Sequence, residues 1–123
     1  MNNYAATLII SRQNQEELIG LTLRLFSENP RSPVAAVNHG AALLLNQRPR
    51  DAEALLKGIN SSKLTRAQAA HYYLDLFELL IGLQQYERAW AIGNLIDTTH
   101  LYPTQRRWLE ETRKQLAARA RQG

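Results

Sequence analysis

Cysteine is absent from this chain of 123 residues. That removes disulfides, thiolate nucleophiles and Cys-built metal sites, and it fits a reducing compartment. Long apolar runs are missing too. The longest uncharged stretch, 32–47, still carries Asn38, His39 and Asn46, and it falls short of the roughly 20 apolar residues that a membrane-spanning helix needs. Met1 is followed by Asn2 and Asn3 instead of a basic segment and an apolar core, so no signal peptide is visible. A cytoplasmic protein, or a soluble domain of a larger one, is the expectation. The chain also lacks a Gly-rich phosphate loop, the H-E-x-x-H and G-x-S-x-G patterns, and any carboxylate pair that stands out.

Histidine is sparse: His39, His71 and His100. None has a second histidine at metal-ligand spacing. His71 does have Asp75 four residues on, a pairing that could orient an imidazole but equally adds a little helix stability. A structural role is the better reading of that pair. No catalytic residue, metal or cofactor is expected, so the chain is read as a non-enzyme.

What is present is ordinary for one folded domain spanning 1–123: 45% apolar residues and 21% charged ones. The net charge of +4 is unevenly placed. From Pro103 onward come Arg106, Arg107, Arg113, Lys114, Arg119 and Arg121 against Glu110 and Glu111, whereas the rest of the chain balances. The excess therefore belongs to one C-terminal segment.

Periodicity reads as all-α, with no period-two stretch long enough for a strand. A short helix is expected over 3–12. Asn14 and Glu17 have capping-box spacing before a second helix that buries Leu18, Ile19, Thr22, Leu25 and Phe26. Asn29-Pro30-Arg31-Ser32-Pro33 ends it and starts the next, with Ser32 as N-cap and Pro33 at the first helical position. Helix 33–46 is apolar nearly all round, so it should be covered on most sides. Pro49 opens a helix with the stripe Ala52, Leu55, Leu56 and Ile59, and a polar loop follows over 58–62. Thr65 and Gln68 form a second capping box ahead of the stripe Tyr73, Leu76, Phe77 and Leu80. After a hinge at 82–85, Ala89, Ile92, Gly93 and Ile96 line a helix expected over 85–97. Residues 98–102 read as loop, and Pro103 opens a last helix with Trp108, Leu109, Thr112 and Leu116 on one side.

Overlaying these hairpins reveals a repeat. Ala52 and Ala89 lie 37 residues apart, Ala36, Gly40 and Leu43 match Tyr73, Phe77 and Leu80, and Trp108 lies 35 residues after Tyr73. Periods of this length signify stacked helical hairpins. The pattern Tyr73-x2-Leu76-Phe77-x2-Leu80 followed by Ala89-x3-Gly93, with Gly40, Ala52 and Leu56 in the earlier unit, resembles the tetratricopeptide repeat (TPR) family. Phe77 stands at that family's glycine and Gly93 at its aromatic residue. The resemblance implies about seven helices in antiparallel αα-hairpins, stacked into a right-handed superhelix. The hairpins fall at about 3–29, 33–60 and 65–98, with a capping helix at 103–121.

It also implies a groove lined by first helices. By repeat alignment the groove positions are Val34, Val37, Ala41 and Leu44 in one unit and His71, Leu74, Glu78 and Ile81 in the next. The expected function is non-catalytic protein–protein interaction, a scaffold or chaperone-type module holding a helical or extended segment of a partner, or a second copy of itself. The alternative is nucleic-acid binding through Arg106, Arg107, Arg113 and Lys114 on the basic helix.

Overall fold

Helix starts follow the local chemistry of the chain in this computed structural model, which describes residues 15–122. The first expected helix, over 3–12, and the cap at Asn14 lie outside those residues. Six α-helices are described, and no strand: α1 (Gln15–Glu28), α2 (Pro33–Leu45), α3 (Pro49–Lys57), α4 (Arg66–Gly82), α5 (Tyr86–Gly93) and α6 (Pro103–Gln122). Single 3-10 turns sit at Ser61–Lys63 and Thr98–His100. Ser32 caps α2, its hydroxyl accepting from the Ala35 amide at 3.2 Å, with Pro33 in the first turn, where a missing N–H costs nothing. The Thr65–Gln68 capping box closes in both directions, at 3.1 and 3.0 Å.

The expected end of the helix over 85–97 and both expected loops need correction. The helix expected to reach residue 97 ends at Gly93, with Asn94 as its C-cap. The segment 98–102 is not plain loop. The Asp97 carboxylate accepts from the amide and the hydroxyl of Thr99, at 3.1 and 2.6 Å, and so starts a helical turn after which Leu101 is buried. The polar stretch after α3 does the same with Asn60, which accepts from Ser62 at 3.2 and 2.7 Å.

Those two turns belong to a repeat that the hydrogen bonds define, and its offset is 37 residues. Arg48 N–H bonds Leu43 O as Gln85 N–H bonds Leu80 O, both at 2.9 Å. Gln47 and Gln84, the residues just before, share φ 60°. Both are left-handed C-terminal caps that redirect the first helix of a hairpin into its second. Lys63 N–H to Asn60 O recurs as His100 N–H to Asp97 O. Thr65 N–H to Gln68 Oε1 recurs as Tyr102 N–H to Gln105 Oε1, each 3.0 Å. α6 therefore starts a third unit in the same register. In that register Trp108 corresponds to His71, not to Tyr73 as the 35-residue spacing suggested.

Packing explains why Phe77 and Gly93 depart from the expected pattern. A Cβ on Gly40 would come within 3.0 Å of Leu56 Cδ2, and one on Gly93 within 3.2 Å of Phe77 Cε2. Gly40 and Phe77 are equivalent, as are Leu56 and Gly93. One contact is thus built small-against-large in the first unit and large-against-small in the second, which conserves volume at the crossing. Phe77 is fully buried, contributing about 3 kcal/mol of apolar burial, and its ring meets Trp108 of α6 edge-on, 5.7 Å between centroids.

α2 lies against α1, α3 and α4, while α4 lies against α2, α3, α5 and the turn at 98–100. The apolar interior falls into two clusters. Ala70, Leu74, Phe77, Leu80, Ala89, Ile96, Leu101, Leu109 and Leu116 make the larger one, with Tyr73 packed against it. Leu18, Leu25, Ala42 and Leu45 make the smaller one, between α1 and α2. α1 also stands outside the repeat. The 37-residue offset would put a 3-10 turn at 24–26, yet α1 runs unbroken through those positions to Glu28.

Candidate functional site

Three of the eight expected groove positions are enclosed: Val37, Ala41 and Leu74 are buried within the chain. Val34, Leu44, His71, Glu78 and Ile81 are half-buried. A concavity does form near Ile81, where the end of α4, the start of α5 and the middle of α6 converge. It is a trough of about 310 Å³ lined by Ile81, Tyr86, Thr112, Gln115, Leu116 and Arg119. Leu116 is buried and Tyr86 half-buried. The Arg119 guanidinium lies 4.5 Å over the Tyr86 ring, and Thr112 turns its hydroxyl back to Trp108 O at 2.8 Å. The result is an apolar floor with a cation at one edge, a shape and chemistry suited to an apolar side chain carried on a longer segment. The sequence places Thr112 and Leu116 on the packed side of α6 and Arg119 in its charge excess, but their meeting with Ile81 and Tyr86 depends on how α6 lies against α4 and α5, which spacing along one helix does not give.

The basic residues of α6 are distributed unequally between the surface and internal contacts. Arg113 lies 4.9 Å over the Trp90 ring and donates from Nη2 to Asn94 Oδ1, the C-cap of α5. A cation there meets both a π face and the negative end of a helix. Lys114 pairs with Glu111 at 3.6 Å. Arg106 and Arg107 are exposed. The four residues of the alternative patch therefore do not act alike: one clamps α5, one belongs to a local ion pair, and two face solvent.

α6 also presents a polar face where α4 presents an apolar one. The α4 residues Tyr73, Phe77 and Leu80, which help form the core shared with Ala89 of α5, correspond in register to Glu110, Lys114 and Ala117. Glu110 and Lys114 are exposed and Ala117 half-buried. A further hairpin would find charge at the contact that α5 makes with α4.

Among the polar groups inside the fold, His71 and Asp75 do not act together. His71 uses Nδ1 on Ala67 O, 3.0 Å away, so that nitrogen carries the proton, and its ring sits 6.0 Å from that of Tyr102. Asp75 points inward. It is 5% exposed, and Oδ2 has no hydrogen-bond partner. Burial first, and then the charge of Glu78, raise its pKa well above the carboxylate range. Oδ2 rests against Gly40, where an added Cβ would be 3.2 Å away. Among the described residues no group of three or more His, Cys, Asp or Glu side chains could hold a metal. No helix among them is long and apolar enough to cross a membrane.

Compared with known proteins, the chain matches no family model, no curated protein and no solved structure.

Proposed function

We propose that this chain is a non-catalytic protein-interaction module of TPR-like build, a short right-handed superhelix of hairpins that holds a helical or extended segment of a partner protein. A chaperone for an aggregation-prone partner and a scaffold domain within a longer protein are versions of the same reading. The observation that carries it is the 37-residue recurrence of hairpin turn, 3-10 turn and helix cap. Such a repeat generates surface between equivalent helices and builds no chemistry of its own. The trough at Ile81, Tyr86, Leu116 and Arg119 is where an anchoring side chain of the partner would insert, with the half-buried Leu44, His71 and Glu78 along the same first-helix faces.

Nucleic-acid binding is the second reading, and the excess positive charge of α6 favours it. Its weakness is that Arg113 and Lys114 are already engaged within the chain.

The test captures partners from the native host with the wild-type chain and with Ile81→Glu, after confirming equal melting midpoints. A protein retained by wild type and lost with Ile81→Glu is the expected result. Equal recovery with both baits, or micromolar duplex DNA binding that falls steeply with salt, overturns the interaction reading.

A further inference from the structure

The trough between α4, α5 and α6 has an equivalent 37 residues earlier, where α2, α3 and α4 meet. The floor is of the same kind at both places. Ile81 and Leu116 correspond to Leu44 and Leu79, and both Leu79 and Leu116 are buried. The rims differ. Tyr86 and Arg119 stand where the earlier crossing has Pro49 and Gly82. There the chain closes on itself: a Cβ on Gly82 would sit 3.7 Å from Pro49 Cβ, an ordinary contact distance. At the later crossing two long side chains meet instead, the Arg119 guanidinium over the Tyr86 ring at 4.5 Å. They line a space of about 310 Å³.

Charge changes together with shape. Thr112 and Gln115 stand where the earlier crossing has the carboxyl groups of Asp75 and Glu78. The later crossing thus gives up two acidic side chains and gains a guanidinium. Among the described residues no carboxylate pairs with Arg119, which lies over the Tyr86 ring. Arg119 and Gln115 are exposed, so both polar groups can reach a ligand lying along the opening.

We infer that the trough holds an acidic segment of a partner protein, with one large apolar side chain on Ile81 and Leu116 and a neighbouring side-chain carboxylate on Arg119. Such a partner presupposes the protein-interaction reading above and narrows it to one chemistry. Contact with the floor supplies most of the affinity, because apolar surface leaves water on both sides. The cation at the rim supplies discrimination, attracting carboxylates and repelling lysine-bearing segments. A run of aspartate or glutamate also meets the positive excess of α6, including the exposed Arg106 and Arg107. A lone C-terminal carboxylate would leave that field unmatched. Nucleic acid fits less well. A phosphate could pair with Arg119, but the apolar floor would stay bare, and the guanidinium already takes a face of Tyr86 on which a base could stack.

The experiment selects random peptides displayed on phage against three immobilised full chains: wild type, Arg119→Glu and Ile81→Glu, each first shown to melt at the same temperature. Wild type should enrich peptides that carry aspartate or glutamate beside a large apolar residue. Arg119→Glu should enrich lysine or arginine at that place, and Ile81→Glu should enrich neither. A peptide selected on wild type and synthesised with capped ends should bind Arg119→Glu about tenfold more weakly and shift the backbone amides around Ile81, Tyr86 and Leu116. Enrichment of apolar peptides without acidic residues, or selection unchanged by Arg119→Glu, overturns the acidic assignment and leaves the interaction reading standing. No enrichment on wild type over Ile81→Glu overturns the trough as a docking site altogether. Single-stranded DNA that shifts the same amides and binds more tightly than the peptide also overturns it. If Arg119→Glu does not fold, Arg119→Gln takes its place: loss of the acidic preference supports the assignment, and an unchanged preference overturns it.

Discussion

Asp75 occupies a position that repeat geometry would give to an apolar or small neutral side chain, between Gly40 and the rest of α4. A buried carboxyl without a partner is tolerated only in its neutral form. The folded chain thus keeps a proton that the unfolded chain releases near pH 3.8. Stability from this group is full below that pH and declines as the pH rises toward the raised folded value. Asp75→Asn removes the titration, so its urea midpoint should fall less than the wild-type midpoint between about pH 5 and pH 8. Parallel declines in the two proteins would show that Asp75 is ionised in the fold. Neither Asp75 nor His39 was legible as an interior group. Four-residue spacing to His71 suggested a surface pair, and only the crossing of α2 with α4 shows that the carboxyl turns the other way.

Helix starts were legible because a cap is a local event: Ser32, Thr65 with Gln68, Pro49 and Pro103 act within one turn of themselves. Ends were harder. α5 stops at Gly93 because an Asx-type turn at Asp97 competes for the following residues, and the apolar spacing that continues to Ile96 hid this. The hairpin turns carry another trace of strain. Gln47 and Gln84 both adopt φ 60°, a region where glycine has no steric penalty. Gln84→Gly relieves a left-handed strain of about 1–2 kcal/mol against about 0.5–1 kcal/mol of lost chain entropy, so it should raise stability in urea unfolding, and Gln84→Val should lower it. A loss with glycine would mean the glutamine side chain contributes more to the turn than its backbone costs.

At the scale of the whole molecule, the repeat could be read from the spacing of small and large residues, but its register in the third unit could not. Exchange of size between Gly40–Leu56 and Phe77–Gly93 blurs any sequence alignment that matches residue types. The hydrogen bonds keep the register because they depend on backbone geometry. Charge was legible as a C-terminal excess. Its use was not, since Arg113 and Arg119 lie over rings on α5 that are distant in sequence.

The polar face of α6 makes the molecule a candidate for controlled growth. Glu110, Lys114 and Ala117 stand where α4 carries Tyr73, Phe77 and Leu80. Installing Glu110→Tyr, Lys114→Phe and Ala117→Leu together would give α6 the apolar face that α4 buries against α5, and so a surface on which a helix from another molecule can pack. Light scattering should then show mass rising with concentration, whereas wild type measured in parallel should not change. A triple variant that stays folded with a mass independent of concentration would mean that these three positions do not decide whether α6 accepts a helix.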